Sequence, residues 1–123
     1  MPPRTAPRLR TQPALTPRVK VWLEAGGQYA FGLGIAEVLQ AIERTSFIKQ
    51  AAADVGRSYR YVWGRIKKAE QALGRQLVEA HVGGTGRQRS SLTPDARRLV
   101  AAFFALRRRM AVLLQEEFTR RFG

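Results

Sequence analysis

Apolar residues recur every three or four positions across residues 32–44, and this spacing predicts a first helix with one face in the core. A second helix is expected to begin near Phe47, because Thr45 or Ser46 can accept a hydrogen bond from its unpaired backbone N–H groups. Gly56 is expected to end it, since glycine readily adopts the left-handed conformation found after helices.

Residues that typically begin and end helices predict two further helices. Ser58 is a good N-cap for a third helix, and Gly74 is expected to end it. The turn before Ser58 is so short that the second and third helices should form a helix-turn-helix unit. Thr93 followed by Pro94 predicts the start of a fourth, long helix that runs to about Arg120.

Alternating residues predict short strands in two places. The pattern over residues 18–24 indicates a half-buried strand, which Gly26 and Gly27 interrupt. Residues 77–82 and 90–93 should pair as a hairpin with its tip at 83–89. The order of three helices, a hairpin and a last helix is that of a winged helix-turn-helix domain. The predicted fold class is therefore mainly α with a small β-hairpin.

The chain divides into three predicted parts. Residues 1–17 hold five prolines and three arginines and are expected to be a flexible basic arm, either without a role or in transient contact with phosphates. Residues 18–93 should form the winged helix-turn-helix domain, and residues 94–123 a C-terminal dimerisation helix. An apolar stripe on this helix predicts the dimer contact; its members are Leu99, Phe103, Leu106, Met110 and Leu113.

Charge and composition narrow the class of partner. The 123 residues include 22 Lys and Arg against 9 Asp and Glu, a formal net charge of +13. Such an excess indicates a polyanionic partner, with nucleic acid first and an anionic membrane surface second. The absence of cysteine excludes zinc fingers and disulfides. No apolar run approaches the roughly 20 residues of a membrane span, so a soluble cytoplasmic protein is expected.

The third helix separates apolar from basic residues. At 100° per residue, Val62, Ile66, Ala69 and Leu73 share one arc that should face the core. The opposite arc holds Arg60, Gly64, Lys67 and Gln71, flanked by Trp63 and Lys68.

The sequence allows more than one role for each of these side chains. Arg60 can grip a guanine edge, bind a phosphate or stay solvated. Tyr59 and Trp63 lie at the border of the arcs, where they can complete the core or contact DNA. Gly64 costs helix stability, and close approach of the helix backbone to DNA is one reason to retain it.

The motifs resemble a known family. QAA at 50–52, SYR at 58–60, Trp63, LVE at 77–79 and GGxG at 83–86 make the stretch from residue 39 to 106 similar to the DNA-binding domain of ModE-type molybdenum-dependent transcriptional regulators, and more distantly to LysR-type regulators. The resemblance implies a dimeric regulator whose third helix enters the major groove while a glycine-rich wing touches the neighbouring backbone.

The chain departs from the family pattern in its wing and in its extent. Arg87 and Arg89 follow the wing glycines, and Ala80 stands where an arginine is common. The resemblance stops before the oxyanion-binding modules of full-length ModE proteins. Molybdate sensing is therefore not carried over, and neither a cofactor nor a small-molecule site is expected.

The predicted function is a sequence-specific DNA-binding transcriptional regulator that binds duplex DNA as a homodimer. An architectural DNA-binding protein without sequence preference and a protein-interaction module are the alternatives. No enzymatic activity or metal site is expected, because His81 is the single histidine and no nucleophile–base pair is evident. The predicted DNA contacts are Ser58, Tyr59, Arg60, Trp63, Gly64, Lys67, Lys68, Arg87 and Arg89.

Overall fold

The structure is a computed structural model that describes residues 14–82 and 88–123. The predicted basic arm therefore falls largely outside the described residues, as does most of the predicted wing tip. In chain order the elements are β1 (Leu23–Ala25), β2 (Gln28–Phe31), α1 (Leu33–Thr45), α2 (Ile48–Asp54), α3 (Tyr59–Leu73), β3 (Val78–Val82), β4 (Gln88–Leu92) and α4 (Pro94–Phe122).

The core forms around α1, which contacts α2, α3, α4 and strand β4. One face of α1 is buried, as its periodicity predicts, with Leu39 and Ile42 fully enclosed. Val62 and Ile66 of α3 are likewise fully buried and belong to the same cluster. Burying each side chain of this size contributes about 1.5–3 kcal/mol, so α1 and α3 hold each other in place. The mainly helical winged helix-turn-helix architecture is confirmed.

The first half of α4 belongs to this core. Phe103 is only 1% exposed, and its ring meets Phe31 of β2 edge-on with centroids 5.3 Å apart. The prediction that Phe103 forms a dimer contact is therefore wrong, because its own chain already covers the side chain. Leu99 also packs against the core, whereas Leu106 is exposed.

The N-terminal hairpin was not predicted. The expected strand over residues 18–24 is wrong in extent, since β1 begins only at Leu23. Gly26 and Gly27 do not simply end a strand: both have positive φ, at 58° and 80°, and form the turn that leads back into β2. Two-residue hairpin turns of this kind favour glycine because other residues resist positive φ.

Helix α2 begins at Ile48, next to the predicted Phe47, and Thr45 Oγ1 accepts a hydrogen bond of 3.4 Å from the Phe47 N–H. Phe47 itself occupies the N-cap position, where its side chain makes no capping hydrogen bond. Ser46 instead ends α1 in the left-handed conformation, and its carbonyl accepts a hydrogen bond of 2.8 Å from the Ser90 N–H of β4. The residue predicted as a cap thus joins the wing to the helical core.

Strands β3 and β4 form the predicted antiparallel wing. The tip is shorter than the expected 83–89, because β4 begins at Gln88 and Arg89 pairs with His81 across the ladder. The predicted fourth helix is confirmed: Thr93 Oγ1 accepts from the Ala96 N–H at 3.0 Å. Within the two described ranges no helix is long and apolar enough to span a bilayer.

Candidate nucleic-acid interface

Helix α3 is oriented by its cap and its apolar stripe. Ser58 Oγ accepts a hydrogen bond of 3.0 Å from the Tyr61 N–H, which satisfies one backbone donor at the helix start. Val62, Ile66 and Ala69 are buried, as the periodicity predicts, and Leu73 is partly covered. The opposite face of the helix must therefore point to solvent.

That outer face is basic. Its members Arg60, Gly64, Lys67, Lys68 and Gln71 are all exposed. Among residues 14–82 and 88–123, no carboxylate lies within ion-pair distance of Arg60 or Lys68. Their charges are not neutralised locally and remain available to an anionic partner.

Lys67 is held more closely than its neighbours. Its Nζ lies 3.5 Å from Glu70 Oε1 and 4.7 Å from the centroid of the Trp63 ring. The Lys67 side chain is still 62% exposed. Because the Lys67 end of this pair is exposed, its ammonium group can turn from Glu70 to a phosphate.

Glu70 links the helix to the wing. Its Oε2 accepts hydrogen bonds from the Leu77 N–H at 2.8 Å and the Val78 N–H at 3.3 Å, at the start of β3. The glutamate side chain is only 14% exposed, which makes this connection well shielded from water. Glu70, which was not singled out from the sequence, thereby helps to fix the position of the wing relative to α3.

Tyr59 and Trp63 line an open cavity of about 310 Å³ between the start of α2, helix α3 and the wing. Trp63 is partly buried and packs against the core, whereas Tyr59 is 47% exposed. Val78 and Ala80 of β3 form part of the opposite wall. Of the two border aromatics, Tyr59 presents more surface to a ligand.

The wing contributes Arg89, which is exposed on β4 with its guanidinium carbon 5.6 Å from the centroid of the Phe47 ring. The predicted contact Arg87 lies outside the described residues. In the part of the chain that the structure describes, no three His, Asp or Glu side chains gather as potential metal ligands.

Four further residues beside α3 were missed from the sequence. The Arg57 guanidinium carbon lies 4.4 Å from the Tyr61 ring centroid, and that of Arg65 lies 5.9 Å from the Tyr29 ring centroid. Helical spacing did not predict the first pair, because Arg57 precedes the Ser58 N-cap and is not part of α3. No local signal existed for Tyr29, because its position depends on the N-terminal hairpin.

Gly64 occupies open space. A Cβ atom built on its backbone would have no neighbour within 4 Å. Packing within the described chain therefore gives no reason for a glycine at this point of the helix.

Comparison with known proteins identifies the family to which the chain belongs. Residues 34–97, more than half of the chain, match the family described as bacterial regulatory helix-turn-helix protein, LysR family. The chain is 36% identical over 77 residues to the molybdenum-pterin-binding protein MopB of Rhodobacter capsulatus, covering 63% of this chain and 28% of that protein. It is 34% identical over 82 residues to the molybdenum transport protein ModE of Herbaspirillum seropedicae, covering 67% and 30% respectively.

Among solved structures, full-length LysG from Corynebacterium glutamicum aligns with a TM-score of 0.47 and 27% identity, covering 70% of this chain and 26% of LysG. The chain spans less than a third of the length of the two curated relatives it matches. The resemblance to ModE-type and LysR-type regulators is confirmed by the match over residues 34–97 and by these two curated relatives. The chain belongs to the LysR family of bacterial regulatory helix-turn-helix proteins.

Proposed function

We propose that the chain is a sequence-specific DNA-binding transcriptional regulator that inserts α3 into the major groove of duplex DNA. The observation that carries this proposal is the basic outer face of α3, anchored by a buried apolar stripe on the other side of the helix. Because cations on one face of a buried-anchored helix match the charge and width of the groove, duplex DNA fits better than a small anion. The protein acts by binding, in the bacterial cytoplasm where chromosomal DNA lies.

Each side chain has a distinct role in this proposal. Arg60, near the N-terminus of α3, reads a guanine edge with two hydrogen bonds. Trp63, Gly64 and Lys67 face the groove, and Tyr59 lies at its margin.

Contacts to the DNA backbone come from both ends of the interface. Ser58 and Lys68 bind phosphates beside α3. Arg87 and Arg89 of the wing bind the neighbouring backbone or the minor groove. Such contacts set the position of the protein but do not read sequence.

The same proposal includes a homodimer formed through α4. After Phe103, the helix extends beyond the core, with Leu106 exposed and Met110 and Leu113 only partly covered. A partner helix would cover these side chains and remove apolar surface from water. The two α3 helices would then meet half-sites about one duplex turn apart.

Mutation of one reading residue and one wing residue tests the division of roles. Arg60→Ala should reduce the preference for a selected genomic fragment over random duplex, whereas Arg87→Ala should weaken binding to both alike. Titrations over a range of salt should show a log–log slope of roughly −7 if a dimer neutralises about eight phosphates.

Three results would count against the proposal. A wild-type specificity ratio near one would favour an architectural protein without sequence preference. Absence of salt-sensitive binding would favour a protein-interaction module. Equal losses on specific and random duplex for both variants would contradict the assignment of base reading to Arg60.

A further inference from the structure

A second basic surface lies beside α3, on the flank that faces the N-terminal hairpin. We call it the hairpin flank; its members are Tyr29, Arg57, Tyr61, Arg65 and Lys68. Tyr61, Arg65 and Lys68 follow each other at helical spacing on one side of α3. Trp63 lies on the other side of the helix, where it borders the wing.

The hairpin is packed directly against this flank. Strand β2 contacts α3, and a narrow crevice between them is lined by Tyr29, Arg65 and Lys68. Helix α3 is therefore bordered by a β-hairpin on each side: the β3–β4 wing next to Trp63, and β1–β2 next to Arg65.

The flank combines exposed aromatic rings with arginines that are held in place. Tyr29 is 46% exposed and Tyr61 is 40% exposed, and each ring lies against a guanidinium group, of Arg65 and Arg57 respectively. Exposed cation–π contacts contribute about 0.5–1 kcal/mol. A stacked guanidinium keeps its N–H edges available, which suits bidentate binding of a phosphate.

The charges of this flank are not neutralised within the described residues. There, no carboxylate lies within ion-pair distance of Arg57, Arg65 or Lys68. Some arginines elsewhere are paired with carboxylates: Arg44 lies 3.2 Å from Asp54, and Arg97 lies 3.0 Å from Glu43. The flank therefore carries three unpaired cations beside the face proposed to enter the groove.

The width of the major groove indicates which part of DNA would lie beside this flank. A helix with its side chains is about 10–12 Å across, and the major groove is about 12 Å wide. A helix seated in the groove therefore has a phosphate backbone along each of its flanks. The wing serves the backbone on one flank, and the hairpin flank faces the other.

We infer that the hairpin flank binds phosphates of the DNA strand across the major groove from the wing, through Arg57, Arg65 and Lys68, with Tyr61 and Tyr29 orienting the two arginines. The N-terminal hairpin thereby becomes a second element that borders the DNA. This inference rests on the proposed function, since it assumes that α3 occupies the groove.

Two single substitutions and one control test the inference. Arg57→Gln and Arg65→Gln each remove a charge but leave a side chain that can still cover the neighbouring ring. Arg108→Gln is the matched control, because exposed Arg108 borders a groove formed by α1, β4 and α4 that no α3 residue lines. Binding of each purified protein to a random-sequence duplex is measured by fluorescence anisotropy over a range of salt.

The expected result is a shallower salt dependence. Removing one phosphate-binding charge should reduce the magnitude of the log–log slope by about 0.9, and so by about 1.8 for a dimer in which both subunits carry the substitution. Affinity at low salt should fall on the order of tenfold or more. Arg65→Lys keeps the charge and should restore the wild-type slope, whereas Arg108→Gln should leave slope and affinity unchanged. Thermal unfolding by circular dichroism verifies that each variant is folded.

The possible outcomes distinguish failure of this inference from failure of the proposed function on which it rests. Steep salt-dependent binding by the wild type, together with unchanged slopes for Arg57→Gln and Arg65→Gln, would overturn the inference and leave the proposed function intact. An equal loss for Arg108→Gln would also overturn it, because charge alone and not the flank would then govern binding. Absence of salt-sensitive binding by the wild type would refute both.

Discussion

Replacing Gly64 with alanine should stabilise the protein and weaken its binding to DNA. Gly64 is the sixth residue of the 15-residue helix α3 and is exposed, and an added Cβ would touch nothing within 4 Å. The substitution therefore meets no obstacle inside the chain, and helix propensity alone decides its effect on folding.

The two expected effects have opposite signs. Alanine in a helix interior is favoured over glycine by about 0.8–1.0 kcal/mol, so the free energy of unfolding should rise by about 1 kcal/mol. For a domain of this size the melting temperature should rise by roughly 4 °C. If the helix backbone approaches DNA closely at Gly64, an added methyl group overfills the contact. Overfilling costs roughly 1–3 kcal/mol, which corresponds to about 5- to 150-fold in affinity.

Urea unfolding followed by circular dichroism and anisotropy titration with duplex DNA measure the two effects on the same preparation. Gly74→Ala is the matched control on the same helix. Gly74 ends α3 with φ at 69°, so alanine there should cost about 1–2 kcal/mol of unfolding free energy. The folded Gly74→Ala protein should nevertheless bind DNA with wild-type affinity, because this residue lies at the end of the helix away from Arg60.

Either of two results would refute the role assigned to Gly64. If Gly64→Ala raises stability but leaves DNA affinity unchanged, the helix backbone does not approach DNA at this point. If it lowers stability, the position is not governed by helix propensity.

Two further predictions concern α4. Phe103→Ala should lower the free energy of unfolding by about 3–5 kcal/mol in a urea titration, because it empties a fully enclosed core position. Met110→Asp should leave folding largely intact but give a monomer in sedimentation velocity. A persistent dimer would contradict the proposed contact. Arg121 and Arg120 donate hydrogen bonds to Glu117 and hold the pKa of that exposed carboxyl below its usual value, so the interaction is present at neutral pH and is lost as pH falls through the lowered pKa. In an NMR titration, Arg121→Gln should raise the midpoint for Glu117, and an unchanged midpoint would argue against the pairing.

Local signals were sufficient for the helices of the DNA-binding unit. The Ser58 cap, the end of α3 at Gly74 and the buried stripe of Val62 and Ile66 were all predicted correctly. Caps and helical periodicity depend on residues within about one turn of each other, so a single sequence contains the information they need. The separation of Arg60 from the core follows from the same periodicity.

The order of amino acids by itself thus determined where the helices lie and which face of α3 is basic, and its net charge of +13 favours a polyanionic partner. Only the tertiary structure decided what covers each apolar stripe: Phe103 repeats with Met110 along one helix, yet it lies inside its own chain against Phe31. It also decided that Tyr29 lies beside Arg65, 36 positions later in the chain, and that Glu70 joins α3 to β3. Periodicity reports that a side chain avoids or seeks water, but the neighbour that meets it comes from distant parts of the chain and is settled only when the whole core packs.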